Sequence, residues 1–266
     1  MTARAAPFTT FARWCADQWS RIDEEHRSEP LPSGRAAAVL VTVALSLVLA
    51  RFFGGSSVLL KHPQMARLLA GLPYPDLYPW LYWAGFKLVN YGLLPALCIR
   101  FVLKRRLGEH GLRFVREPKV WLLYLGMLAV VLPLTFVAAQ SATFLDTYPK
   151  YRSVGQSWTQ LLIWESAYAF QFLMLEFFFR GFLLFALARY IGSLAIFVMI
   201  VPYCMIHFGK PFAECVGSIV AGTVLGTVAL RTGSIYGGVV VHCGVAWAMD
   251  LFALSRNGSL QRLLAG

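Results

Sequence analysis

Charged residues are scarce in this chain, and their scarcity argues against an ordinary soluble domain. Asp, Glu, Lys and Arg make up 14% of the 266 residues, whereas apolar residues make up 58%. Soluble domains carry about 25% charged residues. Long stretches hold almost no charge, and a bilayer core needs about 20 apolar residues in one helix. The composition therefore predicts a membrane protein with several spans.

Cysteine is also sparse, and its placement excludes a disulfide framework or a thiolate metal site. The count is odd and no C-x-x-C spacing occurs, so neither kind of site is supported. Four of the five lie in or beside apolar runs, where a cysteine behaves as a small hydrophobic residue. The five are Cys15, Cys98, Cys204, Cys215 and Cys243.

The apolar runs lack the period-2 alternation of membrane β-strands, as the run at 36–50 illustrates. Backbone N–H and C=O groups in hydrocarbon must be paired within their own segment, so these runs are expected to be helices. We predict an all-α, polytopic membrane helical bundle with about seven transmembrane helices. The expected spans are 36–53, 78–103, 119–142, 158–189, 190–206, 212–230 and 235–254.

These spans divide the chain into four parts. Residues 1–35 are expected to form a polar, membrane-proximal helix or loose segment, and 36–157 to hold the N-terminal transmembrane helices. Residues 158–254 form the predicted core, followed by a short polar tail at 255–266. An early apolar stretch with a small-residue cleavage site is lacking, so no cleavable signal peptide is expected.

The net charge of +11 is explained by the membrane topology and does not require a nucleic-acid partner. Lys and Arg number five in 1–35 and six in 104–119, but only two each in 54–77 and 143–157. Cytoplasmic loops carry an excess of these residues, which predicts a cytoplasmic N-terminus. The expected partner of the basic loops is the lipid bilayer.

Ionisable residues within apolar spans are costly, and each is by default a hypothesis of function. Most of them fall in the second half of the chain. They are Glu165, Glu176 and Arg180 in the fourth span, His207 at the end of the fifth, and His242 and Asp250 in the seventh.

Helix geometry brings two of these residues together. Arg180 follows Glu176 by four positions, which places both side chains on one face. A neighbouring cation favours the ionised carboxylate, so Glu176 can accept a proton or orient a water. Glu165 shares nearly the same face but lies about 16 Å away along the helix axis, too far to hold the same water.

A carboxylate and two imidazoles suggest two kinds of chemistry. Glu176, His207 and His242 can bind a divalent metal such as zinc and leave a position open for water. The same side chains can also activate water without a metal, by general base catalysis and oxyanion stabilisation. The sequence alone does not choose between these alternatives.

Each feature also has a purely structural interpretation. Glu176 and Arg180 can form a structural ion pair, and a single intramembrane His often only bonds a neighbouring helix. Glu165 and Asp250 lie near span ends and can reach interfacial water. The aromatic run 177–179 is expected to face lipid or pack between helices. Ser218, Gly222 and Gly226 recur every four positions, which predicts a close-packing helix face.

Three motifs resemble those of the CAAX protease and bacteriocin-processing (CPBP) membrane family. Residues 176–181, Glu-Phe-Phe-Phe-Arg-Gly, resemble its E-E-x-x-x-R-G motif. His207, with Tyr203 four residues before it, resembles the second motif, and His242 resembles the third. The resemblance covers about 158–254, and the family includes intramembrane endoproteases that cleave prenylated CAAX proteins or other peptides.

The resemblance implies a hydrolytic site. Glu176 would activate water, Arg180 would belong to the first motif, and His207 and His242 would hold the water and stabilise the oxyanion. Bacterial members are often labelled metalloproteases, which keeps a metal among the expectations. The implied protein is an intramembrane endopeptidase of the bacterial inner membrane, acting on a peptide or lipidated-peptide substrate.

Two positions depart from the family pattern. Leu175 stands where the family has its first Glu, and Ala246 stands where its third motif often has Asn. These departures support an alternative, a catalytically inactive relative that acts as a membrane scaffold, chaperone or immunity protein. A proton-coupled transporter is a third possibility, but the inverted repeats and paired broken helices typical of transporters are lacking.

Overall fold

The computed structural model describes residues 7–31 and 33–265, with side chains from residue 10 onward. Residues 1–6, 32 and 266, which belong to the predicted N-terminal segment and tail, lie outside it. All regular elements in the described part are helical, which confirms the all-α prediction. The α-helices are α1 (Pro7–His26), α2 (Gly34–Phe52), α3 (Pro63–Ala70), α4 (Tyr78–Val102), α5 (Pro118–Ala138), α6 (Ala142–Thr147), α7 (Trp158–Ile191), α8 (Leu194–Met205), α9 (Phe212–Thr232), α10 (Tyr236–Arg256) and α11 (Ser259–Ala265).

Six of the described helices are long and apolar enough to cross a bilayer: α2, α4, α5, α7, α9 and α10. The predicted fifth span differs, because α8 has 12 residues. At 1.5 Å per residue it is about 18 Å long, well short of a hydrocarbon core of about 30 Å. These helices fit an integral multi-pass membrane protein, and the described residues hold six candidate spans and one short apolar helix.

The described part of the N-terminal segment contains helix α1, which packs on the bundle. The indole of Trp19 meets the ring of Phe197 edge-on at 5.2 Å between centroids. His26 Nε2 lies 3.1 Å from the carbonyl oxygen of Leu230. Of the two predicted forms, a helix or a loose segment, the structure therefore has the helix.

Helix α7 is the central element of the bundle. Its first half packs against α4 and α10, and its second half against α2 and α8. It changes from α- to π-helical geometry over Phe177–Leu184, a local widening that is frequent at functional sites. Phe178 and Phe179 are completely buried, so the aromatic run packs between helices and does not face lipid.

The predicted close-packing face on α9 is confirmed. A Cβ atom added at Gly222 would lie 3.0 Å from Cγ1 of Ile200, and one at Gly226 would lie 3.2 Å from Cε of Met199. Ser218 on the same face is buried. The small residues therefore allow α8 and α9 to approach closely, which positions the end of α8 beside α7.

Candidate active site

Glu176 lies at the last α-helical position of α7 before the π-helical stretch, and its side chain is 1% exposed. Its Oε1 accepts hydrogen bonds from Arg180 Nη1 at 2.8 Å and from His242 Nδ1 at 2.5 Å. The predicted pairing with Arg180 is present, and α10 adds an imidazole to the same oxygen. Three of the four predicted catalytic residues therefore meet at one carboxylate.

The second oxygen of this carboxylate, Oε2, is buried and has no hydrogen-bond partner among the described residues. Gly238, one turn before His242 on α10, lies directly against it, and a Cβ atom there would collide with the carboxylate. A buried polar atom without a partner is rare and needs an explanation, such as a catalytic role or a bound water. Sequence reasoning missed Gly238, although a glycine four residues before a motif histidine was a usable signal.

His242 is held from three sides. Nδ1 donates to Glu176, and Nε2 lies 2.8 Å from the hydroxyl oxygen of Tyr203. In the tautomer that donates through Nδ1 alone, Nε2 accepts from the tyrosine hydroxyl. The ring also stacks on Phe172 with centroids 5.3 Å apart. These contacts fix the orientation of a ring whose side chain is 16% exposed.

Tyr203 contacts two more of the predicted residues, Arg180 and His207. The guanidinium carbon of Arg180 lies 4.2 Å from the Tyr203 ring centroid, which is cation–π geometry. The Tyr203 carbonyl oxygen accepts from Nδ1 of His207 at 2.8 Å. The sequence identified Tyr203 only as a possible motif aromatic. Its role as a shared partner of Arg180, His207 and His242 depends on how α7, α8 and α10 pack.

His207 follows α8 and does not bond Glu176 or His242. Burial lowers its pKa to about 4, and Lys210 nearby acts in the same direction, so the ring is neutral at pH 7. Because Nδ1–H is bound to a carbonyl, Nε2 is the nitrogen that can accept a hydrogen bond. The structure thus places His207 beside the centre through Tyr203, not at the carboxylate itself.

The arrangement does not fit the expected metal site on Glu176, His207 and His242. Within residues 7–31 and 33–265, no group of three or more His, Cys, Asp or Glu side chains is arranged to hold a metal ion. Both ring nitrogens of His242 are already hydrogen-bonded within the protein. A zinc ligand needs a free nitrogen lone pair, so this set would have to rearrange first.

The two positions that depart from the family pattern are both buried among apolar side chains. Leu175 is buried in the main apolar core, and Ala246 is buried in the cluster that contains Trp164 and Tyr168. Neither position offers a polar atom to the centre. The family's additional carboxylate and amide therefore have no replacement at these two positions.

Two other acids of the membrane-spanning helices, Asp250 and Glu165, lie apart from the centre. Asp250 is fully buried, and its Oδ2 accepts from the indole nitrogen of Trp164 at 2.7 Å. The expectation that Asp250 reaches interfacial water is wrong, because helix packing encloses it. Glu165 is half-buried, and its Oε2 has no partner among the described residues.

Comparison with known families gives a match for part of the chain. Residues 157–248 match the family described as type II CAAX prenyl endopeptidase Rce1-like. This segment is similar to the Rce1-like family. The match covers about a third of the chain and includes all four predicted catalytic residues, so the suspected relationship to the CPBP family is confirmed. No curated protein and no solved structure matches the chain.

Proposed function

We propose that the protein is an intramembrane endopeptidase that hydrolyses a peptide bond of a membrane-associated peptide or lipidated peptide. The observation that carries the proposal is the unequal hydrogen bonding of the two carboxylate oxygens of Glu176, within the Rce1-like segment. One carboxylate oxygen is held by Arg180 and His242, while the other is buried and has no hydrogen-bond partner in the described part of the chain. A fixed base with one free oxygen is suited to binding and deprotonating a water.

In the proposed reaction, water binds at Oε2 of Glu176 and attacks the carbonyl carbon of the substrate. The water's proton passes to Glu176, and the oxygen forms the new C–O bond of the tetrahedral intermediate. When the C–N bond breaks, Glu176 returns this proton to the departing amine nitrogen. The carboxylate is therefore regenerated, and water is the only co-reactant.

The neighbouring side chains have distinct proposed roles. His207 accepts a hydrogen bond from the attacking water at Nε2. Arg180 supplies positive charge beside the developing oxyanion, since its Nε and Nη2 have no protein partner among the described residues. His242 and Tyr203 hold the Glu176 carboxylate in place. The residues fit no metal in their present arrangement, so no step is assigned to one.

The proposal is tested by comparing protein termini in cells that carry the wild type, Glu176→Gln or Glu165→Gln at equal membrane abundance. Glu165 is the matched control, because it is an intramembrane glutamate of the same helix outside the site. We expect cleaved termini with the wild type and Glu165→Gln, and their loss with Glu176→Gln. Substrates are then identified by the termini that disappear.

The same comparison tests the inactive alternative, which Leu175 and Ala246 favour. If all three strains show the same termini, the peptidase proposal is wrong and a scaffold, chaperone or immunity role takes its place. We also propose residence in a bacterial inner membrane. Separation of inner and outer membranes by density tests this location, and recovery with the outer membrane would contradict it.

A further inference from the structure

A basic groove lies where α4 ends and the following loop begins. It encloses about 460 Å³, is open to solvent, and is lined by Arg100, Lys104, Arg105, Arg106 and Leu107. Four of these five residues are cationic. The groove lies in the region whose excess of Lys and Arg predicts the cytoplasmic side, and no step of the proposed reaction uses it.

Most of the positive charge in this basic groove is not neutralised by the protein. Arg105 pairs with Glu29 at 2.5 Å and lies 4.0 Å from Glu109. Among the described residues, Arg100, Lys104 and Arg106 form no ion pair, and all three are exposed. Three like charges held together without a counterion favour an anionic ligand.

The backbone holds the basic groove in a defined shape. Lys104 has φ of 54°, a left-handed conformation that non-glycine residues rarely adopt. This turn reverses the chain after α4, and the Arg105 N–H then bonds the Ile99 carbonyl oxygen at 3.0 Å. The cations after the turn are thereby brought back beside Arg100. The groove is formed by the fold itself, which lowers the entropy cost of binding a ligand.

An apolar strip runs along α4 up to the basic groove. Leu93, Leu97 and Phe101 follow one another at intervals of four residues, and they are 51%, 44% and 68% exposed. Helical residues four positions apart lie on the same face. In a bilayer this helix face would contact acyl chains, and the groove at the C-terminal end of α4 would lie at the level of the lipid headgroups. The basic groove and the apolar strip therefore form one continuous surface.

We propose that the basic groove binds the headgroup phosphate of an anionic phospholipid such as phosphatidylglycerol. The acyl chains would lie along Leu97 and Phe101. Basic pockets at the cytoplasmic ends of transmembrane helices are suited to anionic lipid headgroups. This site is separate from Glu176, so the proposal does not depend on peptidase activity.

The test uses purified full-length protein in detergent micelles with equimolar phosphatidylglycerol and phosphatidylcholine of identical chains. Native mass spectrometry counts the retained molecules of each lipid. We expect the wild type to prefer phosphatidylglycerol, and the triple variant Arg100→Gln, Lys104→Gln, Arg106→Gln to reduce this preference at least tenfold. The matched control is Arg113→Gln, Arg116→Gln, Lys119→Gln, which removes three exposed charges from the end of the loop and the first turn of α5, outside the groove. It should retain the preference.

Three results would overturn the proposal. The first is a wild type without preference for the anionic lipid. The second is an equal loss of preference in both triple variants, which would indicate general charge attraction. Displacement of bound phosphatidylglycerol by millimolar inorganic phosphate would show that the groove recognises free phosphate. If the groove variant unfolds, the single change Arg100→Gln, at an exposed position, is measured by the same criteria.

Discussion

The hydroxyl oxygen of Tyr203 lies 2.8 Å from Nε2 of His242 and joins two helices at the candidate active site. The same side chain covers the guanidinium of Arg180 with its ring. His242 and Arg180 each donate a hydrogen bond to Oε1 of Glu176. One tyrosine therefore orients the imidazole and the cation that hold the proposed base, and this relationship yields the first prediction.

Tyr203→Phe removes the hydroxyl but keeps the ring over Arg180. We expect kcat to fall about 10- to 100-fold, the loss typical when a group that orients a functional histidine is removed. KM should change little, because the hydroxyl does not touch substrate in the proposed mechanism. Tyr82→Phe is the control, since it also removes one hydrogen bond of a tyrosine hydroxyl, here of 2.7 Å to the Phe53 carbonyl oxygen, outside the site. Equal kinetics for wild type and Tyr203→Phe would contradict the orienting role.

Gly238→Ala places a methyl group against the free oxygen of Glu176. We expect cleavage to be lost, because the carboxylate must move or the water must leave its site. Gly217→Ala on α9 is the matched control, since no atom lies within 4 Å of the added Cβ. Replacing an exposed helical glycine by alanine stabilises a helix by up to about 1 kcal/mol. Full activity of Gly238→Ala in a peptide-cleavage assay would contradict this prediction.

The ion pair between Glu176 and Arg180 is fully enclosed. Arg180→Met should destabilise the protein by about 3–5 kcal/mol, because it leaves a buried carboxylate without its cation. Adding Glu176→Gln to this variant should recover part of the loss. Thermal unfolding in detergent measures both effects, with Arg21→Met in the exposed pair Arg21–Asp17 as control. A double variant no more stable than Arg180→Met alone would argue against a charge penalty.

His110 connects the basic loop to α7, and its Nδ1 lies 2.8 Å from the carbonyl oxygen of Gly181. Burial lowers the pKa of His110 to about 4, although the bond to Gly181 opposes this shift. The unfolded chain has a histidine pKa near 6.5, so it binds more protons than the folded protein between these values. Stability should therefore fall as pH decreases from about 6.5 to 4.

This pH prediction is checked by thermal unfolding of the wild type and His110→Asn from pH 4 to 7. The asparagine amide can still donate near the Nδ1 position but does not titrate. We expect the stability difference between wild type and variant to shift in favour of the variant at low pH. A difference that is constant over this range would contradict the low pKa of His110.

Metal removal tests the alternative chemistry at Glu176. Since both nitrogens of His242 are bonded within the protein, we expect a chelator such as 1,10-phenanthroline to leave cleavage unchanged. Glu176→Gln measured alongside defines the level without catalysis. Loss of activity with the chelator, and its recovery on adding zinc, would show that the site rearranges to bind a metal.

Local patterns in the sequence were sufficient for much of the fold. The start of α7 at Trp158 and that of α9 at Phe212 coincide with the predicted spans. Apolar runs of this length must be helical in hydrocarbon, so these elements need no tertiary information. The short helix α8 differs because the predicted span 190–206 contains the end of α7 and a turn at Gly192. Apolar composition alone does not show such a break.

The helical membrane architecture and the contact between Glu176 and Arg180 follow from the amino-acid sequence, because both depend on spacing within one segment. The packing of separate helices is what brings His242, 66 residues away, to Oε1 of Glu176. Helix packing also places Gly238 against Oε2 and encloses Asp250. These relationships depend on how helices from distant parts of the chain pack, and helical periodicity specifies a face but not its partner.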